Sequence, residues 1–495
     1  GRKMDNNMDW LSDFLDESIP LWRNDPVMYF REVLSFEPDG WQAKAADDLA
    51  HNPKVSIKSG QGVGKTGLEA AVFLWFITCF PYPRIVATAP TKQQLHDVLW
   101  SEISKWMSSS PLLSHLLKWT KTYVYMIGNE KRWFGVARTA TKPENMQGFH
   151  EDNMLFIVDE ASGVADPIME AILGTLSGEN NKLLMCGNPT KTTGTFYDSH
   201  TRDRAMYKCH TVSSMDSQRT NKGNIESLIR KYGWDSNVVR VRVRGEFPNQ
   251  EDDVFIGLSI IEQCCSKLFE LPEDALLPNI IFGVDVARFG NDETVIYRNA
   301  RGKLHIAKHR RGQDLMATVG DIVALYRKTI QEFPEYRGRI YVNIDDTGLG
   351  GGVTDRLREV KREQNLRRLF VVPINAAEKI ETDTPAGKKA AEHYNNLTTH
   401  MWASLRELLE NKEIEMADDE ETVAQLSSRK YFMASNGKLQ LESKEDMKER
   451  GLDSPDRGDA AALSVYLGKI KKYTGSAPSE KTVESLGKSS YWKNR

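Results

Sequence analysis

The distribution of hydrophobic and polar residues divides the first half of the chain into distinct regions. Up to residue 50 the apolar positions recur at helical spacing, as in Trp10, Leu11, Phe14 and Leu15, which predicts amphipathic helices. From residue 54 to 188, short apolar runs alternate with helical stretches; the runs are KVSIK, RIVATA, RWFGVA, MLFIVDE and KLLMCGN. This alternation predicts a buried, mostly parallel sheet with crossover helices. Residues 190–255 are polar, with one helical segment, NIESLIRKYG, and predict a small subdomain or linker.

A proline-marked junction at residues 272–278 precedes a second alternation of elements. NIIFGVDVA, ETVIYRN and KLHIAKH predict three strands at hairpin spacing. The remaining pattern predicts a helix at 315–333, the strand RIYVNID, a helix near 353–363, the strand LFVVPI, a long helix at 388–411, the strands KYFMAS and KLQLE, and a final helix from about 455 to 467. Three hairpin strands followed by βα units are the order of a ribonuclease-H-like mixed sheet.

Composition narrows the class of protein. The 495 residues include 66 Lys+Arg and 69 Asp+Glu, and the formal charge of -3 leaves room only for local basic grooves as nucleic-acid contacts. No run approaches the roughly 18 apolar residues of a membrane span. Five cysteines without CxxC spacing indicate neither a disulfide framework nor a zinc site, and a reducing cytoplasm fits them best.

A glycine-rich segment between an apolar strand and a helix indicates a phosphate-binding loop. In SIKSGQGVGKT the glycines let backbone N–H groups turn onto phosphates, Lys65 would reach the β- and γ-phosphates, and Thr66 would ligate magnesium. Farther along, MLFIVDEAS places Asp159 and Glu160 at a strand end, as needed to hold magnesium and polarise an attacking water.

Two further segments are candidates for contacts with the nucleotide. In KLLMCGNPT, either Asn188 or Thr190 is placed to sense the γ-phosphate. In PDGWQ, Gln42 offers an amide for an adenine edge and Trp41 offers a stacking surface.

Acidic residues at strand or helix ends indicate a second site. They are Asp285 in FGVDVARFG, Asp345 and Asp346 in VNIDDTGLGGG, and Asp456 and Asp459 in SPDRGDAAAL. Carboxylates brought together repel unless they bind hard cations, so we expect magnesium or manganese. Two such ions would suit phosphodiester cleavage.

With these motifs in place, the chain resembles the large subunit of tailed-bacteriophage terminases, the DNA-packaging motors. The resemblance covers nearly the whole chain and rests on Gln42, SGQGVGKT, TAPTKQQ, IVDEAS, GNPT, RGEFP, VDVARFG, DDTGLG and SPDRGDA. Ser59 stands where the usual motif has its first glycine. The resemblance implies an α/β chain with an N-terminal P-loop ATPase domain of the additional-strand (ASCE) type and a C-terminal ribonuclease-H-like nuclease domain.

We expect five parts along the chain. They are a helical segment packed on the ATPase at 1–50, the P-loop ATPase core at 51–210, a lid subdomain or linker at 211–270, the nuclease domain at 271–470 and a flexible tail at 471–495.

The resemblance also assigns roles to residues. Lys65 and Thr66 bind the phosphates and magnesium, Asp159 assists the metal, Glu160 is the general base, and Asn188 or its neighbours couple hydrolysis to movement. The full set expected to bind ATP is Gln42, Ser59, Gly60, Gln61, Gly62, Val63, Gly64, Lys65, Thr66, Asp159 and Asn188. The nuclease metals are expected on Asp285, Asp346 and Asp456, with Asp459 as the competing third ligand.

The implied function is ATP-driven translocation of viral double-stranded DNA into a procapsid, with endonucleolytic cleavage of concatemeric DNA. The implied cofactors are ATP with Mg²⁺ and, for the nuclease, two Mg²⁺ or Mn²⁺ ions. The implied partners are double-stranded DNA, the small terminase subunit, the portal protein and further copies in a pentameric ring, with no membrane. The expected location is the host cytoplasm and, transiently, the portal vertex.

Two alternatives remain. A helicase-nuclease of repair or restriction would share the first motifs, but no later helicase motif follows GNPT. A docking protein with vestigial sites is disfavoured by the intact Glu160 and the full set of acids.

The arginine finger stays open among Lys58, Arg132, Arg138 and the arginines between 202 and 244, and we favour a finger acting from a neighbouring subunit. We also expect either the 378–389 loop or a lid near 215–250 to limit access to the nuclease metals.

Overall fold

Two large sheets organise the described part of the protein, one in each of two units. The computed structural model describes residues 2–250, 253–288, 290–312, 314–345 and 351–470, with side chains from Trp10 onward. The first unit contains residues 1–252 and 257–270. The second contains residues 253–256 and the chain from 271 onward.

The first unit alternates strands and helices, as its apolar runs predict. Its strands are β1 (Lys54–Ser59), β2 (Arg84–Thr88), β3 (Leu117–Trp119), β4 (Tyr123–Met126), β5 (Phe134–Ala137), β6 (Asn153–Val158), β7 (Asn180–Gly187) and β8 (Lys208–Val212). Its helices are α1 (Arg2–Asn24), α2 (Pro26–Leu34), α3 (Gly40–His51), α4 (Lys65–Cys79), α5 (Ser101–Ser109), α6 (Pro111–Leu116), α7 (Asp166–Thr175), α8 (Thr195–His200), α9 (Lys222–Tyr232), α10 (Asn237–Val239) and α11 (Leu258–Glu262). Two π-helical segments span Gln93–Trp100 and Arg240–Arg244.

The eight strands of the first unit lie in the order β3-β4-β5-β2-β6-β7-β1-β8. All pairs are parallel except β3 with β4 and β4 with β5. Strand β7 therefore lies between β1, which leads into the glycine-rich loop, and β6, which ends at Asp159. This inserted strand defines the additional-strand type of P-loop fold and confirms the predicted fold of this unit.

Helix α4 is buried around most of its circumference, because its sequence after residue 67 is apolar on nearly every face. The N-terminal helices cover it. Trp75 Nε1 donates to the carbonyl of Trp22 at 2.7 Å, and the Tyr29 hydroxyl donates to the carbonyl of Leu74 at 2.9 Å. These bonds satisfy the polar atoms of two large buried side chains and fix the position of α4.

The second unit has a mixed sheet whose later strands alternate with helices along the chain. Its strands are β9 (Ile280–Asp285), β10 (Glu293–Ala300), β11 (Lys303–Arg311), β12 (Ile340–Asp345), β13 (Leu369–Pro373), β14 (Glu415–Met416), β15 (Tyr431–Met433) and β16 (Leu439–Leu441). Its helices are α12 (Leu315–Glu332), α13 (Gly352–Glu363), α14 (Pro385–His393), α15 (Leu397–Glu410), α16 (Glu420–Ser428), α17 (Lys444–Glu449) and α18 (Asp456–Val465).

Six of these strands lie in the order β13-β12-β9-β10-β11-β14, and β15 pairs with β16 in a separate hairpin. Strands β9, β10 and β11 are antiparallel, and β12 and β13 continue parallel to β9. This is the ribonuclease-H-like arrangement that the order of elements predicts. Helix α18 packs on β9 so closely that a Cβ on Gly283 would lie 2.1 Å from the carbonyl oxygen of Ala460.

Several local predictions are wrong. The long helix expected at 388–411 is two helices, α14 and α15, because Tyr394 is extended and Asn396 caps a new helix by accepting a bond from the Thr399 amide at 2.9 Å. The expected loop at 378–389 becomes helical at Pro385. Strand β8 lies within the polar region 190–255, where only one helix was predicted.

The short strands β3, β4 and β14 were not predicted either. These strands have between two and four residues, which is too short for an alternating pattern to stand out. Among the described residues, no helix has the length and apolar character needed to cross a membrane.

Candidate functional site

The glycine-rich loop of the first unit connects β1 to the first turn of α4, as a phosphate-binding loop requires. Gly62 and Gly64 have φ values of 72° and 96°, a conformation that favours glycine. A Cβ on Gly60 would lie 2.3 Å from Ser214 Oγ and 2.4 Å from the carbonyl oxygen of Val243. Only glycine fits there, since the chain after β8 covers this side of the loop.

Lys65 reaches from the start of α4 to the ends of β6 and β7. Its Nζ lies 2.8 Å from Asn188 Oδ1 and 3.3 Å from Glu160 Oε1. The structure therefore brings together three residues that lie far apart in sequence. The Nδ2 atom of Asn188 and the hydroxyl of Thr190 are buried and have no hydrogen-bond partner among the described residues. A phosphate oxygen would supply the acceptor that these donors lack.

Asp159 is fully buried at the end of β6. Its Oδ2 accepts from Gln94 Nε2 at 2.8 Å, and its Oδ1 accepts from the Glu160 amide at 3.0 Å. Burial, and then the charge of Glu160, raise the pKa of Asp159 above its usual range. Gln94 belongs to the segment TAPTKQQ, so the structure gives that segment a contact with the site. Glu160 has φ 48°, a left-handed conformation that is rare outside glycine.

Sequence reasoning missed Glu69, one turn into α4. This side chain is fully buried, and burial followed by the charge of Asp159 raises its pKa well above the usual range. The continuous apolar run that follows it gave no indication of an acid facing the site. The half-buried Thr66 lies in the first turn of α4. Together Thr66, Asp159 and Glu160 offer the oxygen donors that Mg²⁺ prefers, so these residues fit a magnesium-bound nucleotide.

The second unit gathers carboxylates at the ends of β9 and β12 and the start of α18. Asp285 and Asp345 are paired residues in neighbouring parallel strands, so their side chains leave the same face of the sheet. Asp456 and Asp459 lie in the first turn of α18. All four are buried. Asp346, the other predicted ligand, lies outside the described residues.

The two aspartates of α18 have different partners. Asp456 accepts bonds from the Glu293 amide at 2.9 Å and from Ser454 Oγ at 2.7 Å. Burial raises the pKa of Asp456 to about 6. Burial also raises the pKa of Asp285 well above its usual range, and the neighbouring aspartates add to this rise. A divalent cation would offset this repulsion, and an all-carboxylate donor set suits Mg²⁺ or Mn²⁺.

Asp459 is held by three donors that the sequence did not connect to it. Its Oδ1 accepts from Trp402 Nε1 at 2.9 Å and from Arg429 at 3.2 Å, and its Oδ2 lies 3.1 Å from Lys444 Nζ. Burial disfavours the charged form of the Asp459 carboxyl and so acts to raise its pKa. The positive charges of Lys444 and Arg429 outweigh this and hold the pKa of Asp459 below its usual range. Asp459 is thus directly paired with positively charged side chains, whereas the hydrogen bonds to Asp456 come from neutral groups.

Lys444 and Arg429 are functional candidates that sequence reasoning missed. Desolvation opposes the charge of the half-buried Lys444, but the charges of Asp459, Asp285 and Asp456 outweigh it and raise the pKa of this lysine. A cavity of about 220 Å³ opens beside these groups, and Asp345, Arg429, Lys444 and Asp459 contribute to its wall. Lys444 begins a six-residue helix in a polar stretch, so no periodicity marked it.

The fold and the two sites define a class: an additional-strand P-loop unit followed in the chain by a ribonuclease-H-like unit with a carboxylate cluster. No family model matches the chain. The chain is 26% identical over 486 residues to the "Probable terminase, large subunit" of Enterobacteria phage P7, a match that covers 93% of this chain and 91% of the relative. This relative confirms the resemblance to large terminase subunits that the motifs indicated.

Solved structures with weaker similarity include large terminases. One from a thermophilic bacteriophage has 14% identity and a TM-score of 0.41, covering 87% of this chain and 98% of that one. That of bacteriophage HK97 has 15% identity and a TM-score of 0.37, covering 90% and 99%. The nuclease domain of the large terminase subunit gp2 of bacterial virus Sf6 has 15% identity and a TM-score of 0.34, covering 43% and 98%. The fold assignment rests on the strand orders described above.

Proposed function

We propose that the chain is the large subunit of a viral terminase, which hydrolyses ATP to translocate double-stranded DNA and cleaves DNA with a separate metal-dependent site. The observation that best supports ATPase activity is that Lys65, Glu160 and Asn188 come together at the end of the glycine-rich loop. Similarity to a probable large terminase subunit over 93% of the chain supports the overall role.

In the nucleotide site, Lys65 binds the β- and γ-phosphates, and the amides of the loop and of the first turn of α4 donate to phosphate oxygens. Thr66 and Asp159 would hold Mg²⁺, which neutralises charge on the phosphates. Glu160 accepts the proton of the attacking water. Binding of the γ-phosphate takes Lys65 away from Glu160 and Asn188, which frees the Glu160 carboxylate for this role.

In the second unit, Asp285, Asp456 and either Asp345 or Asp346 would hold two divalent cations, which activate water and stabilise the leaving oxygen in phosphodiester cleavage. Asp459 orients the start of α18 through its bonds to Trp402 and Arg429, and it remains the competing third ligand. Lys444 supplies a positive charge for the scissile phosphate.

We further propose that the chain acts with double-stranded DNA, a small terminase subunit and a portal protein, as a ring of copies at the portal vertex of a procapsid in the host cytoplasm. Contacts to DNA would be made through phosphates rather than bases, so the choice of packaging site falls to a partner.

Two substitutions test whether the sites are separate. Glu160→Gln is expected to lower ATP hydrolysis roughly 100-fold or more, since it removes a general base, and to leave plasmid cleavage with Mg²⁺ or Mn²⁺ intact. Asp285→Asn is expected to abolish cleavage and leave ATP hydrolysis intact. The matched controls are Glu170→Gln and Asp274→Asn, because both side chains are exposed. Full activity in both Glu160→Gln and Asp285→Asn would refute the proposal.

A helicase separates the two strands of duplex DNA, whereas a packaging motor moves along the duplex and leaves its strands paired. The proposal predicts ATP-dependent displacement of a triplex-forming strand from duplex DNA without separation of the duplex strands. Strand separation during this assay would indicate a helicase-nuclease instead.

A further inference from the structure

The amide of Gln42 is occupied by the protein itself. Its Oε1 accepts from the Asp39 amide at 2.8 Å, and its Nε2 donates to the carbonyl of Gly64 at 2.9 Å. The residue is 0% exposed. A base therefore has no surface of Gln42 to contact, and the two bonds instead tie the first turn of α3 to the glycine-rich loop.

The exposed side chain that packs on the same glycine is Arg219. A Cβ on Gly64 would lie 3.0 Å from Arg219 Cδ and 3.1 Å from its Nε. The Arg219 side chain is 46% exposed. Its Nε forms a long ion pair to Asp39 at 3.4 Å, and its guanidinium lies 5.9 Å from the centre of the Phe36 ring.

Arg219 is held in this place by the turn that precedes it. Ser214 Oγ donates to the carbonyl of Gln61 at 2.7 Å, and the Arg219 amide donates to Ser217 Oγ at 3.2 Å. A Cβ on Gly62 would touch the Thr220 methyl group at 3.4 Å. Residues 213–220 therefore follow the glycine-rich loop along its length, and Arg219 is positioned by the same contacts that position the loop.

Arg219 lies at the end of the nucleotide site that is opposite the expected position of the γ-phosphate. The amino group of Lys65 points to Glu160 and Asn188, which marks where the γ-phosphate binds. Arg219 lies at Gly64 instead, beside Gln42 of α3. A nucleotide whose terminal phosphate lies at Glu160 extends its nucleoside away from that end.

We propose that the adenine base of the bound nucleotide packs on the Arg219 guanidinium, and that Gln42 is a positioning residue for Gly64 rather than the residue that reads the base. Arginine suits this role because its guanidinium is planar and stacks on aromatic faces. The proposal rests on the proposed function only in that the site binds ATP.

The test for Arg219 compares ligands that differ in the base, using the full chain and isothermal titration calorimetry with Mg²⁺. Arg219→Ala is expected to weaken ADP binding by about tenfold and to leave pyrophosphate binding unchanged, since pyrophosphate has no base to stack. Arg219→Lys is expected to behave like alanine, because lysine keeps the charge but lacks the plane. The control is Arg31→Ala, an exposed arginine paired with Glu37.

An equal loss of ADP and pyrophosphate affinity in Arg219→Ala, restored by lysine, would show a phosphate contact and overturn the proposal. Unchanged ADP binding in Arg219→Ala would overturn it as well. If the unaltered chain binds neither ADP nor pyrophosphate, the proposed ATPase fails, which is a separate result.

The test for Gln42 compares ADP with GDP. Gln42→Ala is expected to weaken the binding of ADP, GDP and pyrophosphate alike and to leave the ratio of ADP to GDP affinity unchanged. The reason is that the glycine-rich loop loses the hydrogen bond from Gln42 to the carbonyl of Gly64. Loss of the preference for ADP with normal pyrophosphate binding would show that Gln42 reads the base. Gln42→Glu, which keeps the acceptor for Asp39 and loses the donor to Gly64, gives the same comparison if the alanine variant does not fold.

Discussion

Replacing Gly283 with alanine would place a methyl group inside the contact between β9 and α18. The new Cβ would lie 2.1 Å from the carbonyl oxygen of Ala460 and 2.5 Å from the amide nitrogen of Ser464. Ordinary contact at about 3.5 Å then requires the helix to move by more than about 1 Å. The neighbours are backbone atoms, so no side-chain rotation can relieve the clash.

The far end of α18 resists this movement. Asn343 Nδ2 donates to the carbonyls of Leu463 and Tyr466 at 2.7 and 2.9 Å, and Asn299 Nδ2 donates to the carbonyl of Ser464 at 2.9 Å. The displacement therefore falls on the first turn of the helix, which carries Asp456 and Asp459. A misplacement of about 1 Å costs roughly 100-fold in rate when a site depends on exact placement of its groups.

We expect Gly283→Ala to lower plasmid cleavage about 100-fold, to lower the stability of the second unit by about 1–3 kcal/mol, and to leave ATP hydrolysis unchanged. Cleavage, hydrolysis and thermal unfolding are measured on the same preparation. The matched control is Gly320→Ala in α12, because, apart from the nearby backbone of its own helix, no atom lies within 4 Å of the added methyl group. Normal cleavage by a folded Gly283→Ala protein would refute the packing argument.

Three further substitutions give measurable outcomes. Gly60→Ala is expected to abolish ADP binding, measured by calorimetry, because its Cβ would lie 2.3 Å from Ser214 Oγ; normal binding would contradict the observed loop geometry. Burial lowers the pKa of His200 to about 3 from 6.5, so the unfolded state binds the proton first and stability falls as the pH drops below 6.5. Between about pH 7 and 5, the free energy of unfolding, measured with urea, is therefore expected to fall by about 2 kcal/mol less for His200→Gln than for the unaltered chain. An equal fall in both proteins would contradict this. Trp402→Phe removes the indole bond to Asp459 and is expected to slow plasmid cleavage about tenfold with ATP hydrolysis unchanged, whereas unchanged cleavage would show that this bond does not orient α18.

Local chemistry accounts for what the sequence determined about the nucleotide site. The loop from Ser59 to Thr66 is contiguous, and its glycines are required by backbone conformations and close contacts at their own positions. The apolar runs before Gly60 and Asp159 each form a buried strand, because such runs fit a sheet covered on both faces. The order of elements likewise sufficed for a mostly parallel first sheet and for the ribonuclease-H-like order of the second, since connections between neighbouring strands follow strong rules of handedness and proximity. The additional-strand type of the first sheet was implied by the resemblance to large terminase subunits.

Groups joined across long sequence distances needed the tertiary structure. Nothing in the sequence near Lys444 or Arg429 connects them to Asp459, because both lie in polar stretches whose position depends on the β15–β16 hairpin and α17. The break before Asn396 was hidden for a similar reason: a single capping residue outweighed an otherwise continuous helical pattern. Side-chain partners also decided the environment of Gln42, whose burial comes from the packing of α3 on the loop.

The sequence alone thus determined which residue types are available and which strand or loop carries them, because these depend on spacing along the chain. Only the tertiary structure decided which of them meet, which are buried and which already have partners, because those properties depend on distances through space. Asp456 and Asp459 illustrate the difference. They lie in one helical turn, yet Asp459 is paired with Lys444 and Arg429, while the hydrogen bonds to Asp456 come from neutral donors.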